Sequence, residues 1–213
     1  MTTLLQGTPE WLARRLGRVT SSRIADIVAR TKTGYSTSRA NYLAQLLSER
    51  LTGVVADSFT SPAMQWGLDH EAEARAGYEY RFDRDVDAIG FVEHPSISMS
   101  GASPDGLISD DGLIEIKCPN TATHIDTLLT GVIPSKYESQ MLWQMSCTGR
   151  ACCDYVSFDP RLPESMAFFV KRVERNDERL AEIEIEVRSF LGELEDTIER
   201  LNRAYEVRTL RAA

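Results

Sequence analysis

The sequence lacks the features that mark several large protein classes. No stretch approaches the roughly 18 consecutive apolar residues of a membrane-spanning helix. Residues 1–6 have neither the basic start nor the apolar run of a signal peptide. There is no internal repeat, Gly-rich phosphate loop, Ser-His-Asp signature or low-complexity linker. At 213 residues, with 42% hydrophobic and 26% charged residues, we expect one soluble domain in the cytoplasm without a membrane partner.

Cysteine pairs with metal-binding spacing are also missing. The four cysteines are Cys118, Cys147, Cys152 and Cys153, and none forms a C-x-x-C pair. The vicinal pair is poorly placed for an ordinary disulfide, and the spacing does not reproduce an iron–sulfur pattern. We therefore interpret all four as reduced thiols.

Positive charge is scarce overall but unevenly distributed. The chain has 24 Lys and Arg against 32 Asp and Glu, a net charge of −8, which does not favour binding to a DNA backbone. Residues 1–50, however, hold eight basic and three acidic side chains, a balance of +5, which leaves 16 and 29, or −13, for the rest. This distribution predicts that any nucleic acid is held at a confined place near the N-terminal region.

Residues 103–117 carry the most informative pattern in the chain. Asp105 lies ten positions before Glu115, and Lys117 follows two residues later. Carboxylate oxygens are the hard ligands that Mg²⁺ prefers, and a lysine beside them can orient an attacking water. We further expect nearby positive charge to lower the pKa of Lys117, so that it could also deprotonate the water. The pattern predicts metal-dependent cleavage of phosphodiesters.

Local geometry can bring these three side chains together if the segment folds as a hairpin. Asp110-Asp111-Gly112 is typical of a three-residue loop with glycine in the left-handed conformation. In that register Ser109 lies opposite Leu113 and Asp105 opposite Lys117, with all three polar groups on one face. The isoleucines between them then point into a core. Asp-Gly turns and Glu-x-Lys strands are also common without any function, so both interpretations remain open from these residues alone.

A second candidate site lies near the N-terminus. Thr8 and Pro9 are typical of a helix start, and Gly17 of its end. A second helix is predicted to begin at residues 20–22, where free backbone N–H groups and serine hydroxyls could hold a phosphate together with Arg15. The alternative is that these serines only cap a helix and that Arg15 is a solvated side chain.

The remaining pattern predicts an α/β (α+β) fold, a mixed sheet flanked by helices. We expect one domain over 1–213, with a basic helical part at 1–60, a catalytic core at 61–175 and a C-terminal helix at 176–213, either continuous or broken near Gly192. Further helices are predicted at 34–53, 63–81 and 137–148, and strands at 88–92, 97–100, 151–158 and 166–173.

Four blocks of the chain, in order, resemble the lambda exonuclease family of viral alkaline exonucleases, which includes YqaJ-like recombinases. The resemblance extends over about residues 8–175 and depends on WLARRLGRVTSS (11–22), QWGLDHEAEAR (65–75), SPDGLISDDGLIEIKCP (103–119) and YESQMLWQMSCTG (137–149). It implies a restriction-endonuclease-like nuclease core.

The resemblance also implies roles for individual residues. Metal would be held by Asp105, Glu115 and the backbone carbonyl of Ile116, with Glu71 near a second Mg²⁺ and Mn²⁺ able to substitute. Lys117 would act on the attacking water, and Arg15 and Ser22 would hold the terminal 5′-phosphate. Gln140 fits the family's substrate-contacting glutamine best. Gln144 is a second candidate, because the glutamine often found two residues after the first is Leu142 here.

As a function, the resemblance implies digestion of one strand of duplex DNA from 5′-phosphorylated ends, with release of mononucleotides and a 3′ single-stranded tail for phage-type recombination. It implies a phage or prophage origin, a ring of three subunits around DNA and a single-strand annealing protein as partner. Two alternatives remain: an endonuclease with the same metal site, and a non-catalytic DNA-end-binding module of a recombination complex.

Overall fold

The computed structural model describes residues 6–56 and 61–212. The signal-peptide expectation concerns residues 1–6 and therefore lies almost entirely outside the described residues. The helices are α1 Pro9–Arg15, α2 Ile24–Val28, α3 Thr37–Thr52, α4 Pro62–Phe82, α5 Thr121–Thr130, α6 Ser135–Thr148 and α7 Asp177–Ala212, with 3₁₀ turns at Ser21–Arg23 and Glu164–Met166. The strands are β1 Val19–Thr20, β2 Arg30–Thr31, β3 Gly34–Tyr35, β4 Val86–Asp87, β5 Val92–Glu93, β6 Ser100–Ala102, β7 Gly106–Ile108, β8 Gly112–Lys117, β9 Cys152–Phe158 and β10 Phe168–Glu174.

The central sheet is mixed, as predicted. Its five strands run in the order β10-β9-β8-β7-β4, and β8 pairs parallel to β9 but antiparallel to β7. A smaller sheet has the order β1-β6-β5, and β2 and β3 form a separate hairpin. Because β8 and β9 are parallel, the chain must cross over between them, and α5 and α6 make that crossing.

Strand β8 separates two hydrophobic clusters by its alternation. Ile114 and Ile116 belong to the cluster that includes Ala74 and Tyr78 of α4, whereas Leu113 belongs to the larger cluster formed with α2, α3, α6 and α7. Side chains of a strand alternate between its two faces, so Glu115 shares the face of Leu113 and is directed toward α6. The predicted anchoring of the two isoleucines in a core is confirmed.

Most predicted helices are confirmed, and their ends show the expected capping. The hydroxyl of Thr8 accepts from the backbone N–H of Trp11 at 3.3 Å, and Gly53 ends α3 with φ +68°. Helix α7 continues through Gly192 without a break. Helix α5 was not predicted, although its N-cap Asn120, which accepts from the N–H of Thr123, was a readable signal.

The strands predicted at 88–92 and 97–100 are wrong in their bounds. The structure places strands at Val92–Glu93 and Ser100–Ala102. The physical reason is a turn built on His94, whose Nδ1 accepts from the backbone N–H groups of Ser96 and Ile97 at 3.2 and 3.1 Å. This turn places Ile97 in the core without a strand.

The predicted hairpin register is also wrong, although its consequence survives. Ile108 pairs with Gly112 and Leu107 with Leu113, so the loop consists of residues 109–111, and Ser109, not Gly112, adopts the left-handed conformation at φ +50°. The pairing is displaced by two residues, which brings Asp105 level with Glu115 instead of Lys117. An even displacement leaves side chains on the same face, so the expected convergence is retained.

All four cysteines are free and buried. Burial raises the pKa of each thiol, to about 12 for Cys118, which is consistent with the predicted reduced state. Within the described residues, no helix is long and apolar enough to cross a membrane.

Candidate active site

Glu115 is one of two fully buried polar side chains in the candidate site. It is 0% exposed, and its Oε1 contacts the ammonium group of Lys117 and accepts from Nε2 of Gln140 at 2.6 Å. Its Oε2 accepts from Nε2 of Gln144 at 2.5 Å. These contacts give both oxygens of the buried carboxylate a polar partner, which a buried polar group requires.

Asp105 lies directly beside this pair. The backbone N–H of Ile116 donates to its Oδ2 at 2.6 Å, which joins the end of the first hairpin strand to the second. Burial first, and then the charge of Glu115, raises the pKa of Asp105 well above its usual value, although Lys117 opposes this effect. The structure thus brings Asp105, Glu115 and Lys117 together.

Lys117 differs from expectation in its electrostatics. Burial lowers its pKa, but the carboxylates of Glu115 and Asp105 outweigh that effect and leave the pKa raised. The sequence-based expectation of a lowered pKa is therefore wrong, because the charges nearest the ammonium group are acidic. In this state Lys117 is a cation and a hydrogen-bond donor, and not a base.

Glu71 approaches the same site from α4. The pKa of Glu71 is raised overall, chiefly by burial and also by Glu115, with Arg75 and Lys117 acting in the opposite direction. Glu71 therefore interacts electrostatically with Glu115 and Lys117 of β8. Arg75 lies 3.7 Å from Glu71 Oε1 and donates to the backbone carbonyl of Asp105. Sequence reasoning missed Arg75, although its position four residues after Glu71 on a helix was a usable signal.

Gly106 permits this close packing around Asp105. A side-chain carbon added there would lie 2.2 Å from Cγ1 of Val86 and 3.2 Å from Nη1 of Arg75. The glycine that follows the aspartate is therefore required by the close approach of β4 and α4, and not by a turn.

Both candidate glutamines lie on α6 and bind the same carboxylate. Gln140 is 8% exposed and reaches Oε1 of Glu115, whereas Gln144 is 0% exposed and reaches Oε2. The two residues are one helical turn apart, so both amides face the same strand. The geometry gives the two glutamines different positions in the site.

Arg15 is connected to the segment of Asp105 through Ser103, which lies two residues before Asp105. Its guanidinium group stacks on the ring of Trp11 at 4.1 Å and donates to Oγ of Ser103, and Nε1 of Trp11 donates to the same oxygen at 3.0 Å. Burial lowers the pKa of Arg15, with partial opposition from Tyr42 and Glu49. Among the described residues, no carboxylate lies within ion-pair distance of Arg15.

The helix predicted to begin at residues 20–22 begins there as a 3₁₀ turn and not as an α-helix. Ser22 lies in the 3₁₀ turn Ser21–Arg23, and α2 begins only at Ile24 and has five residues. The guanidinium group of Arg23 already donates to Oδ2 of Asp26 at 2.5 Å and to Oε1 of Gln45 at 2.8 Å. Ser22 itself is exposed. A phosphate site here would depend on the side chains of Arg15 and Ser22 and not on a helix dipole.

Over residues 6–56 and 61–212, no three His, Cys, Asp or Glu side chains are arranged as a metal-binding group. The hydrogen bonds already described explain this, because Asp105 is turned toward Ile116 and Glu115 toward Lys117 and the glutamines. The candidate donors are the carboxylates of Asp105 and Glu115, the main-chain carbonyl of Ile116 and the carboxylate of Glu71 on α4.

The mixed sheet flanked by helices, with this group of acids and a lysine beside it, has the fold of exonucleases of known structure. The YqaJ-like viral recombinase domain family matches residues 10–151, and the chain belongs to that family. None of the curated proteins compared with the chain matches it.

Solved structures agree with this assignment. The alkaline exonuclease LHK-Exo from Laribacter hongkongensis is 50% identical, with a TM-score of 0.87 over 93% of this chain and 98% of that one. A second structure, LHK-Exo in complex with dAMP, gives 50% identity and a TM-score of 0.88 over the same shares. A phage-related exonuclease from Haemophilus somnus 129PT, at 15% identity, has the same fold, with a TM-score of 0.70 over 86% of this chain and 96% of that one.

Proposed function

We propose that the chain is a divalent-metal-dependent exonuclease that digests one strand of linear duplex DNA in the 5′-to-3′ direction. It would start at a 5′-phosphorylated end, release mononucleotides and leave a 3′ overhang for phage-type recombination. The convergence of Asp105, Glu115 and Lys117 on one face of the sheet carries the proposal. The 50% identity to an alkaline exonuclease, and the dAMP bound to that relative, support exonuclease activity with a mononucleotide product.

The donor set fits Mg²⁺, with Mn²⁺ as a substitute. All candidate ligands are oxygens, which these hard cations prefer. The raised pKa values of Asp105 and Glu71 reflect burial together with repulsion from Glu115, and a divalent cation would relieve that repulsion. Asp105, Glu115 and the carbonyl of Ile116 would hold one ion, with Glu71 near a second. When bound, Mg²⁺ supplies positive charge that polarises the phosphate and stabilises the leaving oxygen.

The protein's own groups have distinct tasks in this proposal. Lys117, which is a cation here, donates a hydrogen bond that orients the attacking water toward the phosphorus. Gln140, which binds Oε1 of Glu115 beside Lys117, contacts the substrate or that water. The acidic groups of the site repel the phosphates of DNA, so the scissile phosphate would enter only when divalent cations are bound there.

Arg15 is the candidate for recognition of the DNA end. A partly buried guanidinium group without a carboxylate partner among the described residues is suited to an incoming phosphate. Its hydrogen bond to Ser103, two residues before Asp105, supports a phosphate position near the acids. The exposed hydroxyl of Ser22 would supply a further donor.

The decisive experiment uses linear duplexes with a 5′-phosphate on only one strand, with and without chelator. We expect Mg²⁺-dependent loss of the phosphorylated strand, release of mononucleotides and no cleavage of covalently closed circles. Cleavage of the circles would favour the endonuclease alternative. DNA-end binding without metal-dependent release would favour a non-catalytic module.

Arg15→Ala tests end recognition. Loss of a charged hydrogen bond of about 1.5–3 kcal/mol predicts a reduction of roughly tenfold to a hundredfold on 5′-phosphorylated ends. Arg14→Ala is the matched control, because Arg14 is exposed and paired with Glu93 at 3.1 Å. Equal losses on phosphorylated and hydroxyl ends would contradict the role of Arg15.

The proposal includes a ring of three subunits and delivery of the 3′ tail to a single-strand annealing protein. With a net charge of −8, electrostatic affinity for DNA is weak, and a closed ring would retain the duplex by topology. Sedimentation of the protein with and without duplex measures the subunit number directly.

A further inference from the structure

We propose that Gln144 is a positioning residue that fixes one oxygen of Glu115 and thereby leaves only the other oxygen for a divalent cation. This inference rests on the proposed metal site. It gives the two glutamines of α6 different roles: Gln144 would orient the ligand, and Gln140 would contact the reacting groups.

The two carboxylate oxygens of Glu115 have unequal surroundings. Oε2 is bound at 2.5 Å by the amide of Gln144, which is 0% exposed, so no ion or water can replace this contact without opening the core. Oε1 is bound by Gln140 and by Lys117, whose side chain is 25% exposed. Lys117 is the partly exposed partner, so Oε1 is the oxygen that an incoming ion could reach.

Asp105 has the same division of its oxygens. Its Oδ2 accepts from the backbone N–H of Ile116 at 2.6 Å, and this bond lies within the hairpin. Asp105 is thus held through Oδ2 by a hydrogen bond of the hairpin, as Glu115 is held through Oε2 by the buried Gln144. Fixed orientation of this kind is how outer hydrogen bonds preorganise metal ligands.

Only the N–H side of the Gln144 amide has a partner. Its Oε1 is buried and has no hydrogen-bond partner among the described residues. A buried acceptor without a partner destabilises a fold, but an apolar side chain of similar length would instead leave the buried Oε2 of Glu115 without its donor. The N–H donated to Glu115 is therefore the property that favours glutamine here.

Gln144→Met removes this donor at nearly constant volume. We expect the affinity for Mn²⁺ to fall by about tenfold to a hundredfold, because Glu115 loses its fixed orientation. Gln140→Met is the matched control, since it removes one donor from the same carboxylate, but from the oxygen that the ion would take. Its affinity for Mn²⁺ should stay unchanged, while its turnover falls.

The experiment is calorimetric titration of the metal-free, full-length protein with Mn²⁺ in the absence of DNA. Wild type, Gln144→Met, Gln140→Met and Asp105→Asn are compared, and circular dichroism checks that each is folded. If Gln144→Met does not fold, Gln144→Asn, whose amide is one methylene too short to reach Glu115, takes its place with the same expected loss.

The outcomes separate the two proposals. The inference is supported if Gln144→Met weakens Mn²⁺ binding and Gln140→Met does not. Wild-type affinity in that variant, or an equal loss in Gln140→Met, overturns it while the metal site stands. Equal or absent binding in wild type and Asp105→Asn removes the metal site itself, and the role of Gln144 with it.

Discussion

Replacing Lys117 by methionine separates the structural and catalytic contributions of the site. The ammonium group of Lys117 is the direct ionic partner of the fully buried Glu115. Methionine keeps much of the aliphatic stem but removes the ammonium group, whose Nζ lies 5.3 Å from the centre of the Tyr137 ring. In the metal-free variant, Glu115 and Asp105 then repel each other without a neighbouring cation.

The magnitude follows from burial and from the remaining partners. Removing one partner of a buried ion pair costs about 3–5 kcal/mol. Lys117 is 25% exposed and Glu115 keeps two amide donors, so we expect a smaller loss, about 2–3 kcal/mol. For a chain of this length the Tm should fall by roughly 4–12 °C.

Thermal unfolding followed by circular dichroism, in EDTA and in Mg²⁺, is the assay. Because the variant lacks a cation that repels Mg²⁺, the metal should raise its Tm by more than it raises the Tm of wild type. Nucleotide release should nevertheless be abolished, since no ammonium group orients the water.

Lys136→Met is the matched control. Lys136 lies over the same ring of Tyr137 at 4.6 Å but is exposed, so its removal should change neither Tm nor activity. The reasoning is refuted if Lys117→Met matches wild type in EDTA, if Mg²⁺ stabilises both proteins equally, or if the variant retains normal turnover.

Two further predictions concern pH and packing. The raised pKa of Asp105 means that the metal-free fold binds a proton more tightly than the unfolded chain, so stability should rise as the pH falls from neutral toward the ordinary value of 3.8. Asp105→Asn should reduce this gain, and urea unfolding at pH 7 and 5 measures it; an unchanged dependence on pH would contradict the assignment. In α4, Gly77→Ala should destabilise the protein by about 1–3 kcal/mol, because the new methyl group would lie 2.4 Å from Cζ of Phe168. Gly67→Ala, in the same helix with nothing within 4 Å, should instead stabilise it by about 0.5–1 kcal/mol. If both variants raise the Tm in thermal unfolding, the contact with Phe168 does not determine the effect at Gly77.

The agreement between sequence and structure depends on how local each signal is. The caps of α1 and the left-handed glycine after α3 were predicted because they act within one turn of helix. The strands before residue 103 were misplaced because the imidazole of His94 reorganises its own turn, which strand periodicity does not reveal. The N-terminus expected at residues 20–22 became a 3₁₀ turn for which no simple pattern exists.

The sequence by itself determined which side chains share a face of the hairpin, since alternation along a strand is independent of register shifts by two. It therefore predicted the meeting of Asp105, Glu115 and Lys117 even with the wrong pairing. Only the tertiary structure decided the charge state of Lys117, the contact of Arg75 with the Asp105 carbonyl and the division of the Glu115 oxygens between Gln140 and Gln144. These properties depend on burial and on groups distant in the chain, because electrostatic energies are set by distance and desolvation and not by residue spacing.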